Sequence, residues 1–395
     1  MKIVIAPDSF KESLSAFEVA SAIERGFQKV FPDIQTIKIP MADGGEGTVD
    51  TLVKGTGGKF IKKEVTGPTG TRVEAKFGIL GDGHTAVIEM AAASGIHLVP
   101  QEKRNPLWLT TRGTGELILA ALDEGVKKII IGLGGSATND GGAGMAKALG
   151  VKLLDKHGND IPDGGGYLTK IASIDISALD PRLNEVTIEA ACDVNVPLLG
   201  KNGASAIFFF NDAATTEMIE ELDKNLAHYA RKIKEYLGRD VADVPGAGAA
   251  GGLGAGLLAF LDAKLRNGIE IVLEVTKFRE IVQDADFVIT GEGKIDGQTI
   301  YGKTPIGVAK VAKEYDIPVI GIAGTLTRDS RIVYDYGIDA LFSIVPGIIP
   351  ESESMENAAE YIENLAANIA ALLKISRQII VRRSVMNKNP QYKFL

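Results

Sequence analysis

The sequence predicts an α/β protein of two domains: a doubly wound parallel-sheet domain formed by both chain ends, and an inserted mixed α/β domain. Short apolar strands alternate with amphipathic helices near both ends of the chain, which is typical of parallel sheets. Between them, apolar runs are joined by tight turns such as TGPTGT, which indicates antiparallel strands. The length of 395 residues is also too great for one ordinary core.

These changes of pattern give the domain bounds. Residues 1–60 and 280–375 are assigned to the first domain, and residues 61–279 to the inserted domain. Residues 376–395 carry several Arg and Lys but no acid, so we expect a basic tail outside the core.

The elements follow in order along the chain. Strands are predicted at 2–6 and 35–40, and each leads through a polar turn into a helix. The inserted domain is predicted to hold strands at 60–65, 72–80, 86–90, 129–131 and 186–191, and a long helix at 215–237. Alternation then resumes, with strands at 287–290, 318–323 and 340–345 and helices at 305–315 and 354–373. These last elements would complete the N-terminal sheet.

Composition restricts the classes of function. Hydrophobic residues make up 45% and charged residues 24% of the chain, as in soluble globular proteins. A net charge of −8 argues against a nucleic-acid partner. The single cysteine, Cys192, allows no internal disulfide and no cysteine-built metal site, which fits a cytoplasmic protein. The chain opens on an apolar strand and has no uncharged run of the roughly 18 residues that a membrane span needs, so we expect neither a leader nor a membrane partner.

The stretch VKKIIIGLGGSATNDGGAG, residues 126–144, is the strongest motif. A buried strand runs into a turn rich in glycine, which lets the backbone approach a ligand closely. Backbone N–H groups gathered at such a turn attract phosphate. We therefore predict phosphate binding by Gly134, Gly135, Ser136, Gly141 and Gly142.

The same stretch also matches a dinucleotide fingerprint. Gly132-x-Gly134-x-x-Ala137 follows a strand, and Asp155 ends the next predicted strand about 20 residues on. An NAD(P)-dependent oxidoreductase using residues 132–155 is therefore an alternative function. Against it, residues 139–142 (NDGG) are poor helix material where that fold requires a helix to continue.

Two further glycine patterns occur. Residues 297–304 fit GxxxxGK[ST], but the preceding strand is predicted to end near Thr290, so we interpret the full match as accidental. Lys303, beside a helix start, remains a candidate phosphate ligand. The segment GAGAAGGLGAG, residues 246–256, serves close helix packing, a lid or a ligand.

Several predicted strands lead into acids, most of which lie beside glycine. These acids are Asp8, Asp43, Asp140, Asp193, Glu292 and Asp296. Ligands of open α/β sheets bind outside the carboxyl ends of the strands. Carboxylates suit an anionic ligand there if Mg²⁺ joins them to phosphates. An amide-rich phosphate site, Mg²⁺ carboxylates, a lysine and an acid near a hydroxyl are the groups that phosphoryl transfer requires.

Other chemistries have fewer candidates. The four histidines lie apart in the sequence, and the chain has no GxSxG nucleophile motif. Arg104, Arg112 and Lys11 either bind a small carboxylate substrate or are ordinary surface charges.

Seven segments together resemble the bacterial glycerate kinase family, over residues 1–373. They are IAPDSFKESLSA, MADGGEGT, NPLWLTTRGTGELI, GLGGSATNDGGAG, ACDVNVPLLG, GAGAAGGLGAG and TGEGKIDGQTIYGKTPIGVA. The resemblance implies ATP-dependent phosphorylation of D-glycerate to 2-phosphoglycerate with Mg²⁺. It also implies two α/β domains, one flavodoxin/Rossmann-like, with the active site in the cleft between them. The family usually has Ser at the position of Gly297, which agrees with an accidental GxxxxGK[ST] match.

On this hypothesis each candidate residue has a role. Asp193 orients or deprotonates the glycerate hydroxyl, and Asp8 and Lys11 complete the catalytic set, with Lys11 and Lys303 neutralising charge. The substrate-binding residues are Ser9, Arg104 and Arg112, and the Mg²⁺ ligands are Asp43, Glu292 and Asp296. D-glycerate is the expected partner, and a homo-oligomer is left open.

Three departures from the family pattern bear on this hypothesis. Residues 208–215 read FFFNDAAT where the family usually has FGPQKGAT, so a lysine and two glycines are missing. A non-catalytic nucleotide-binding relative is therefore a further alternative. Arg112 stands where the family tends to have Tyr, and the tail beyond residue 375 has no recognised counterpart.

Overall fold

A computed structural model describes residues 1–207 and 215–388 of the chain, and the side chains of these residues up to 383. Contacts divide the chain into two compact units, which we call unit 1 (Met1–Ala42 and Thr276–Leu395) and unit 2 (Asp43–Val275). Both chain ends thus contribute to unit 1, and unit 2 is one continuous segment.

Thirteen strands are present in the described part of the chain. They are β1 (Lys2–Ile5), β2 (Gln35–Lys38), β3 (Lys59–Thr66), β4 (Arg72–Ile79), β5 (Thr85–Glu89), β6 (Lys128–Gly132), β7 (Lys152–Leu154), β8 (Ser173–Asp175), β9 (Thr187–Ala191), β10 (Lys264–Arg266), β11 (Phe287–Ile295), β12 (Val319–Leu326) and β13 (Ala340–Ser343).

The α-helices of the same residues lie between these strands. They are α1 (Ala16–Val30), α2 (Thr48–Thr56), α3 (Ala91–Ser94), α4 (Arg112–Asp123), α5 (Ala143–Ala148), α6 (Ala204–Ile207), α7 (Thr216–Leu237), α8 (Ala249–Leu261), α9 (Gly268–Val275), α10 (Phe278–Val282), α11 (Thr304–Lys313), α12 (Glu351–Glu356) and α13 (Ala358–Lys388).

Unit 1 is built on a five-stranded sheet in the order β13-β12-β11-β1-β2, with every neighbouring pair parallel. Helix α1 starts at a capping box, in which Ser15 and Glu18 bond each other's backbone N–H groups. Its buried face packs with α13 over the sheet, around Phe27 and Ile362. Gly26 permits the close approach of these helices, because a Cβ there would lie 2.3 Å from the Glu363 carbonyl oxygen.

Unit 2 is built on a six-stranded mixed sheet in the order β10-β9-β6-β5-β4-β3. Strands β5, β6, β9 and β10 are parallel, whereas β3–β4 and β4–β5 pair antiparallel. A separate two-stranded sheet holds β7 and β8. The predicted two-domain α/β class, with parallel and mixed sheets, is confirmed.

The units begin and end at other residues than the predicted domains. Residues 43–60, assigned to the first domain from the sequence, group with unit 2. The reason is packing, since α2 lies on the antiparallel side of the second sheet. A Cβ at Gly78 in β4 would lie only 2.1 Å from the Val53 side chain.

Two elements are longer than predicted. Strand β11 continues to Ile295, because residues 290–295 pair with β12 although they include two glycines and two charged residues. Helix α13 continues through residue 388, into the segment that the sequence assigns to a tail. Among the described residues, no helix combines the length and apolarity required to cross a membrane.

Candidate functional site

The glycine-rich loop between β6 and α5 has two parts. Gly134 and Gly135 are exposed and Ser136 is half-buried, whereas Ala137 to Asp140 are buried. Gly135 has φ of +75°, a conformation that glycine adopts without strain. The loop therefore presents its first part outward and anchors itself by its second part.

Asp140 is the anchor. This fully buried carboxylate accepts hydrogen bonds from the Thr111 hydroxyl at 2.9 Å, the Thr111 N–H at 2.9 Å, the Gly142 N–H at 3.0 Å and the Gly144 N–H at 3.1 Å. Burial raises the pKa of the Asp140 carboxyl, and these hydrogen bonds oppose the rise. Asp140 thus ties the loop to the start of α4, which is a structural task.

Gly141 and Gly142, predicted phosphate ligands, are buried by packing. A Cβ on Gly141 would lie 2.8 Å from the Tyr229 ring, and one on Gly142 would lie 3.1 Å from the α-carbon of Gly256. The structure does not bring these two residues to the exposed part of the loop. Both have positive φ, which accounts for glycine at these positions.

The dinucleotide arrangement is not formed. In that fold a helix starts at the second glycine, but here residues 133–142 form a loop and α5 begins at Ala143. Asp155 lies after β7, which pairs with β8 in the separate two-stranded sheet and not with β6. The ribose-binding acid of the fingerprint is therefore not on a strand adjoining the glycine turn.

A cavity of about 480 Å³ opens in unit 2 at the exposed part of this loop. Gly135, Ser136 and Arg104 contribute its polar groups. Apolar wall comes from Ile96, Leu133, Val194 and Ile207, and backbone from residues 248–251. Volume and lining are those of small-molecule sites, which are largely apolar with a few placed polar groups.

The cavity's glycine-rich side is built from unusual backbone. Ala250, Gly251 and Gly252 all have positive φ, of 53°, 64° and 86°, so α8 is regular only beyond them. A Cβ at Gly251 would lie 1.7 Å from the Thr138 carbonyl oxygen. The sequence left both a packing role and a ligand role open for residues 246–256. In the structure this segment packs on the loop between β6 and α5 and also lines the cavity.

The two candidate arginines have different environments. Arg104 lines the cavity and is held by a hydrogen bond from Nε to the Val99 carbonyl oxygen at 3.1 Å. Arg112 makes a two-pronged ion pair with Asp163, at 2.6 and 3.0 Å, and Lys147 bonds the same carboxylate at 2.7 Å. Burial raises the pKa of Asp163, but these two cations lower it to below its usual range. Of the two arginines predicted to bind substrate, Arg104 lies at the cavity and Arg112 does not.

Asp43 and Asp193 meet at the first residue of α9. The Gly268 N–H donates to the Asp193 carboxylate at 2.8 Å, and a Cβ at Gly268 would lie 1.9 Å from the Asp43 carbonyl oxygen. Asp193 is exposed and directly precedes Val194 of the cavity wall. The Gly45 N–H donates to the Asp43 carboxylate at 3.0 Å.

In unit 1, Asp8 lies beyond the carboxyl end of β1. Its Oδ2 accepts a hydrogen bond from the Thr304 hydroxyl at 2.5 Å, and its Oδ1 accepts one from the Ser9 N–H at 2.6 Å. The Asp8 N–H donates to the Gly291 carbonyl oxygen at 2.8 Å. Asp8 thus contacts the start of α11 through Thr304, a residue that sequence reasoning had not selected, and Ser9 bonds the same carboxylate. Lys11 is exposed nearby in the chain.

Glu292 and Asp296 share a buried threonine. The Thr299 hydroxyl donates to Glu292 Oε1 at 2.8 Å and accepts from the Asp296 N–H at 3.1 Å. Lys303 Nζ lies 3.6 Å from Glu292 Oε2. Burial raises the pKa of Asp296, but the ion pair that Lys294 makes with it at 3.1 Å contributes to a net lowering. The structure therefore brings Glu292, Asp296 and Lys303 together.

The GxxxxGK[ST] segment has a different setting from the one predicted. Since β11 ends at Ile295 and α11 begins at Thr304, the segment at 297–304 does connect a strand to a helix. The match was interpreted as accidental because the strand was predicted to end near Thr290, and that predicted strand end is wrong. Residues 299–301 form a 3₁₀ turn inside the segment.

Within residues 1–207 and 215–388, no group of three His, Cys, Asp or Glu side chains could hold a metal ion. The predicted Mg²⁺ ligands are divided, with Asp43 in unit 2 and Glu292 and Asp296 in unit 1. The altered segment at 208–214 lies outside the described residues. Ile96, Val194 and Ile207 were missed as site residues, because single apolar residues in separate parts of the chain carry no sequence signal.

Comparisons with known proteins agree in one family. A model described as "Glycerate kinase family" matches residues 3–374. A Bacillus subtilis (strain 168) protein named glycerate kinase is 61% identical over 96% of this chain and 100% of its own. An Escherichia coli (strain K12) protein named glycerate 2-kinase is 59% identical over 95% of this chain and 98% of its own. A crystal structure assigned to glycerate kinase 2 of Salmonella typhimurium LT2 is similar with a TM-score of 0.88 and 56% identity, covering 96% of this chain and 99% of that one.

Proposed function

This chain belongs to the glycerate kinase family and is a phosphotransferase, and we propose that it transfers the γ-phosphoryl group of ATP to D-glycerate, forming 2-phosphoglycerate and ADP. We infer glycerate as the acceptor from the names of the relatives, and phosphorylation at the 2-position from the name of the Escherichia coli relative, glycerate 2-kinase. The cavity of unit 2 is the observation that carries the assignment of a binding site.

We assign the nucleotide to that cavity. The apolar residues of the cavity suit the planar base of a nucleotide. Glycerate is a small ion with two hydroxyls and has no such apolar surface. The amides of exposed Gly135 and half-buried Ser136 suit phosphate oxygens, and Arg104 adds a guanidinium group, which suits phosphate because it can donate two parallel hydrogen bonds.

We assign glycerate to Asp8 and Ser9 at the end of β1, where Lys11 would neutralise the negative charge of the glycerate carboxylate. In the reaction, the glycerate hydroxyl oxygen forms a bond to the γ-phosphorus while the bond from that phosphorus to the β–γ bridging oxygen breaks. ADP leaves with the electron pair of the broken bond, and the hydroxyl proton passes to a carboxylate, for which Asp193 remains the candidate. The placement of the reaction between two domains stays a prediction of the resemblance.

The acidic residues fit a Mg²⁺ ion held mainly by phosphate oxygens. Such an ion needs only one or two protein carboxylates. Glu292 and Asp296 supply two carboxylates. Thr299 bonds the Glu292 carboxylate and the Asp296 N–H, and Lys303 adds a cation beside Glu292. When bound, Mg²⁺ neutralises the charge of the phosphates during transfer. Asp43 stays a predicted ligand.

A coupled ADP-release assay with D-glycerate, ATP and Mg²⁺ tests this function. We expect turnover with D-glycerate and little with L-glycerate, and ³¹P NMR of the product should show the 2-phosphate. Absence of turnover above background contradicts the proposal. Nucleotide binding without turnover would select the non-catalytic relative, and a thermal shift with NAD but none with ATP–Mg²⁺ would select the oxidoreductase.

Asp193→Asn tests the proton acceptor. It keeps the acceptor oxygen available to the Gly268 N–H and removes the charge. We expect kcat to fall at least 100-fold, within the range that general-base catalysis contributes. A kcat close to that of the wild type would remove Asp193 from the mechanism.

A further inference from the structure

We propose that Thr304 is a positioning residue that fixes the carboxylate of Asp8 for the acceptor substrate. The proposal rests on the proposed function, in which Asp8 contacts glycerate. It gives a role to Thr304, the last residue of the GxxxxGK[ST] segment, which the sequence analysis did not assign to the reaction.

The hydroxyl of Thr304 is used for Asp8 and not for its own helix. Thr304 is fully buried at the first position of α11, where the N-cap, Lys303, makes no side-chain cap. Its hydroxyl donates to Asp8 Oδ2 at 2.5 Å, across 296 residues of sequence. A buried hydroxyl needs a hydrogen-bond partner, and here that partner is the half-buried carboxylate of Asp8, which follows β1.

Further contacts fix the plane of the Asp8 carboxylate. Ser9 donates its N–H to Oδ1 at 2.6 Å, with its hydroxyl at 3.3 Å from the same oxygen. The Asp8 N–H is bonded to the Gly291 carbonyl oxygen, so the backbone is fixed as well. Because both carboxylate oxygens accept hydrogen bonds, the orientation of the Asp8 carboxylate is fixed from two sides.

The test compares Thr304 with another fully buried threonine of unit 1, Thr290 on β11. Thr290 is also fully buried, and its hydroxyl donates to the Ala6 carbonyl oxygen at 2.8 Å, so it bonds near the same strand end without touching a carboxylate. We expect Thr304→Val to lower kcat/KM for D-glycerate about tenfold or more. Thr304→Ser should restore it to within about twofold of the wild type, and Thr290→Val should stay within about twofold.

A double-variant cycle with Asp8→Asn separates positioning from a general loss of structure. If Thr304 acts through Asp8, Thr304→Val should lower kcat/KM no further once Asp8→Asn is present. Wild-type kinetics in Thr304→Val, or losses that multiply in the double variant, overturn the proposal. If valine unfolds the protein at the assay temperature, Thr304→Ala replaces it in the same cycle. A wild-type enzyme without turnover would instead contradict the proposed function.

Discussion

The polar ends of the parallel strands are built differently in the two units. In unit 1, charged residues follow β1, lie on and after β11, and precede α11. Thr304 bonds Asp8, Thr299 bonds Glu292 and the Asp296 N–H, and Lys303 pairs with Glu292. In unit 2, the cavity beside β6 is bounded by glycine backbone and apolar side chains, with Arg104 as its charged member. The strand ends of unit 1 are therefore shaped by side-chain hydrogen bonds, whereas the cavity of unit 2 is shaped by backbone conformations and close contacts that require glycine.

This difference decides which substitutions each unit tolerates. A side-chain hydrogen bond can be removed with a modest and graded loss. A backbone contact made through glycine cannot accept even a methyl group. The predictions below test this distinction, beginning with the largest expected effect.

Gly251→Ala should prevent stable folding of unit 2, or cost more than about 4 kcal/mol of unfolding free energy. Its Cβ would lie 1.7 Å from a backbone oxygen at a φ of +64°. Gly125→Ala is the matched control, with φ of +75° and nothing within 4 Å of the added carbon, and should cost about 1–2 kcal/mol. Urea unfolding followed by circular dichroism measures both. Equal losses would show that conformation, not close approach, accounts for Gly251.

Asp140→Asn should cost about 2–4 kcal/mol, since an amide keeps only one acceptor oxygen where Asp140 accepts from Thr111, Gly142 and Gly144. Affinity for ATP should fall with it if the anchored loop shapes the cavity. Asp155→Asn is the control, because its carboxylate serves an exposed turn in which asparagine is equally suitable. Stability and nucleotide titrations on both variants provide the check. A stable Asp140→Asn would contradict the anchoring role.

Arg104→Met should weaken ATP binding by about 10–100-fold, the effect of losing a charge-assisted hydrogen bond to phosphate. Methionine keeps the apolar stem length, so the cavity wall is retained. Arg182→Met, which removes a surface ion pair with Asp180, should leave the affinity unchanged. Isothermal titration with ATP–Mg²⁺ distinguishes the two. If instead the KM for glycerate rises and the ATP affinity is unchanged, Arg104 binds the acceptor, as first predicted.

Asp163→Asn should flatten the acid limb of the stability curve of unit 2. The pKa of Asp163 is lowered in the folded state, so its stabilising effect is present above the unfolded pKa of about 4 and is lost as pH falls through the lower folded value. We expect a difference of about 1 kcal/mol at pH 7 because the group is partly solvated. Urea unfolding from pH 3 to 7 measures it. Parallel curves for variant and wild type would refute the coupling to Arg112 and Lys147.

Ala250→Gly should stabilise the protein by about 0.5 kcal/mol, the smallest effect. It relieves the cost of an L-residue at φ of 53°, partly offset by the greater freedom of glycine in the unfolded chain. Glu12→Gly, at φ of 63° in unit 1, is a matched comparison on an exposed site. Thermal unfolding measures both. A destabilised Ala250→Gly would mean that the alanine methyl contributes packing.

Local patterns were sufficient for most elements. Apolar runs and glycine or proline boundaries predicted strands such as β1, β3 and β9 to within about two residues. They failed at β11, where Gly291, Glu292 and Gly293 are poor strand formers and pairing with β12 prevails over propensity. The discontinuous first domain was also predictable, because alternation of strands and helices stops and resumes.

Partners distant in the sequence were not predictable. Gly141 looked like a ligand residue because the sequence does not show that Tyr229 packs against it. Arg112 looked like a substrate ligand because nothing local indicates Asp163. Asp8 and Glu292 could be selected from strand-end chemistry. Thr299 and Thr304 lie in the GxxxxGK[ST] segment, but the sequence does not show which carboxylates they bond.

The central position of β1 has a consequence for biosynthesis. This strand pairs with β2, about thirty residues later, but its other edge pairs with β11, and the Thr290–Ala6 hydrogen bond spans 284 residues. Because an uninterrupted chain segment forms unit 2, that unit can fold while the ribosome is still adding the remainder. One edge of β1 therefore stays unpaired until β11 has left the ribosome. Slowed translation after residue 275 should therefore prolong aggregation-prone exposure of β1 without affecting unit 2.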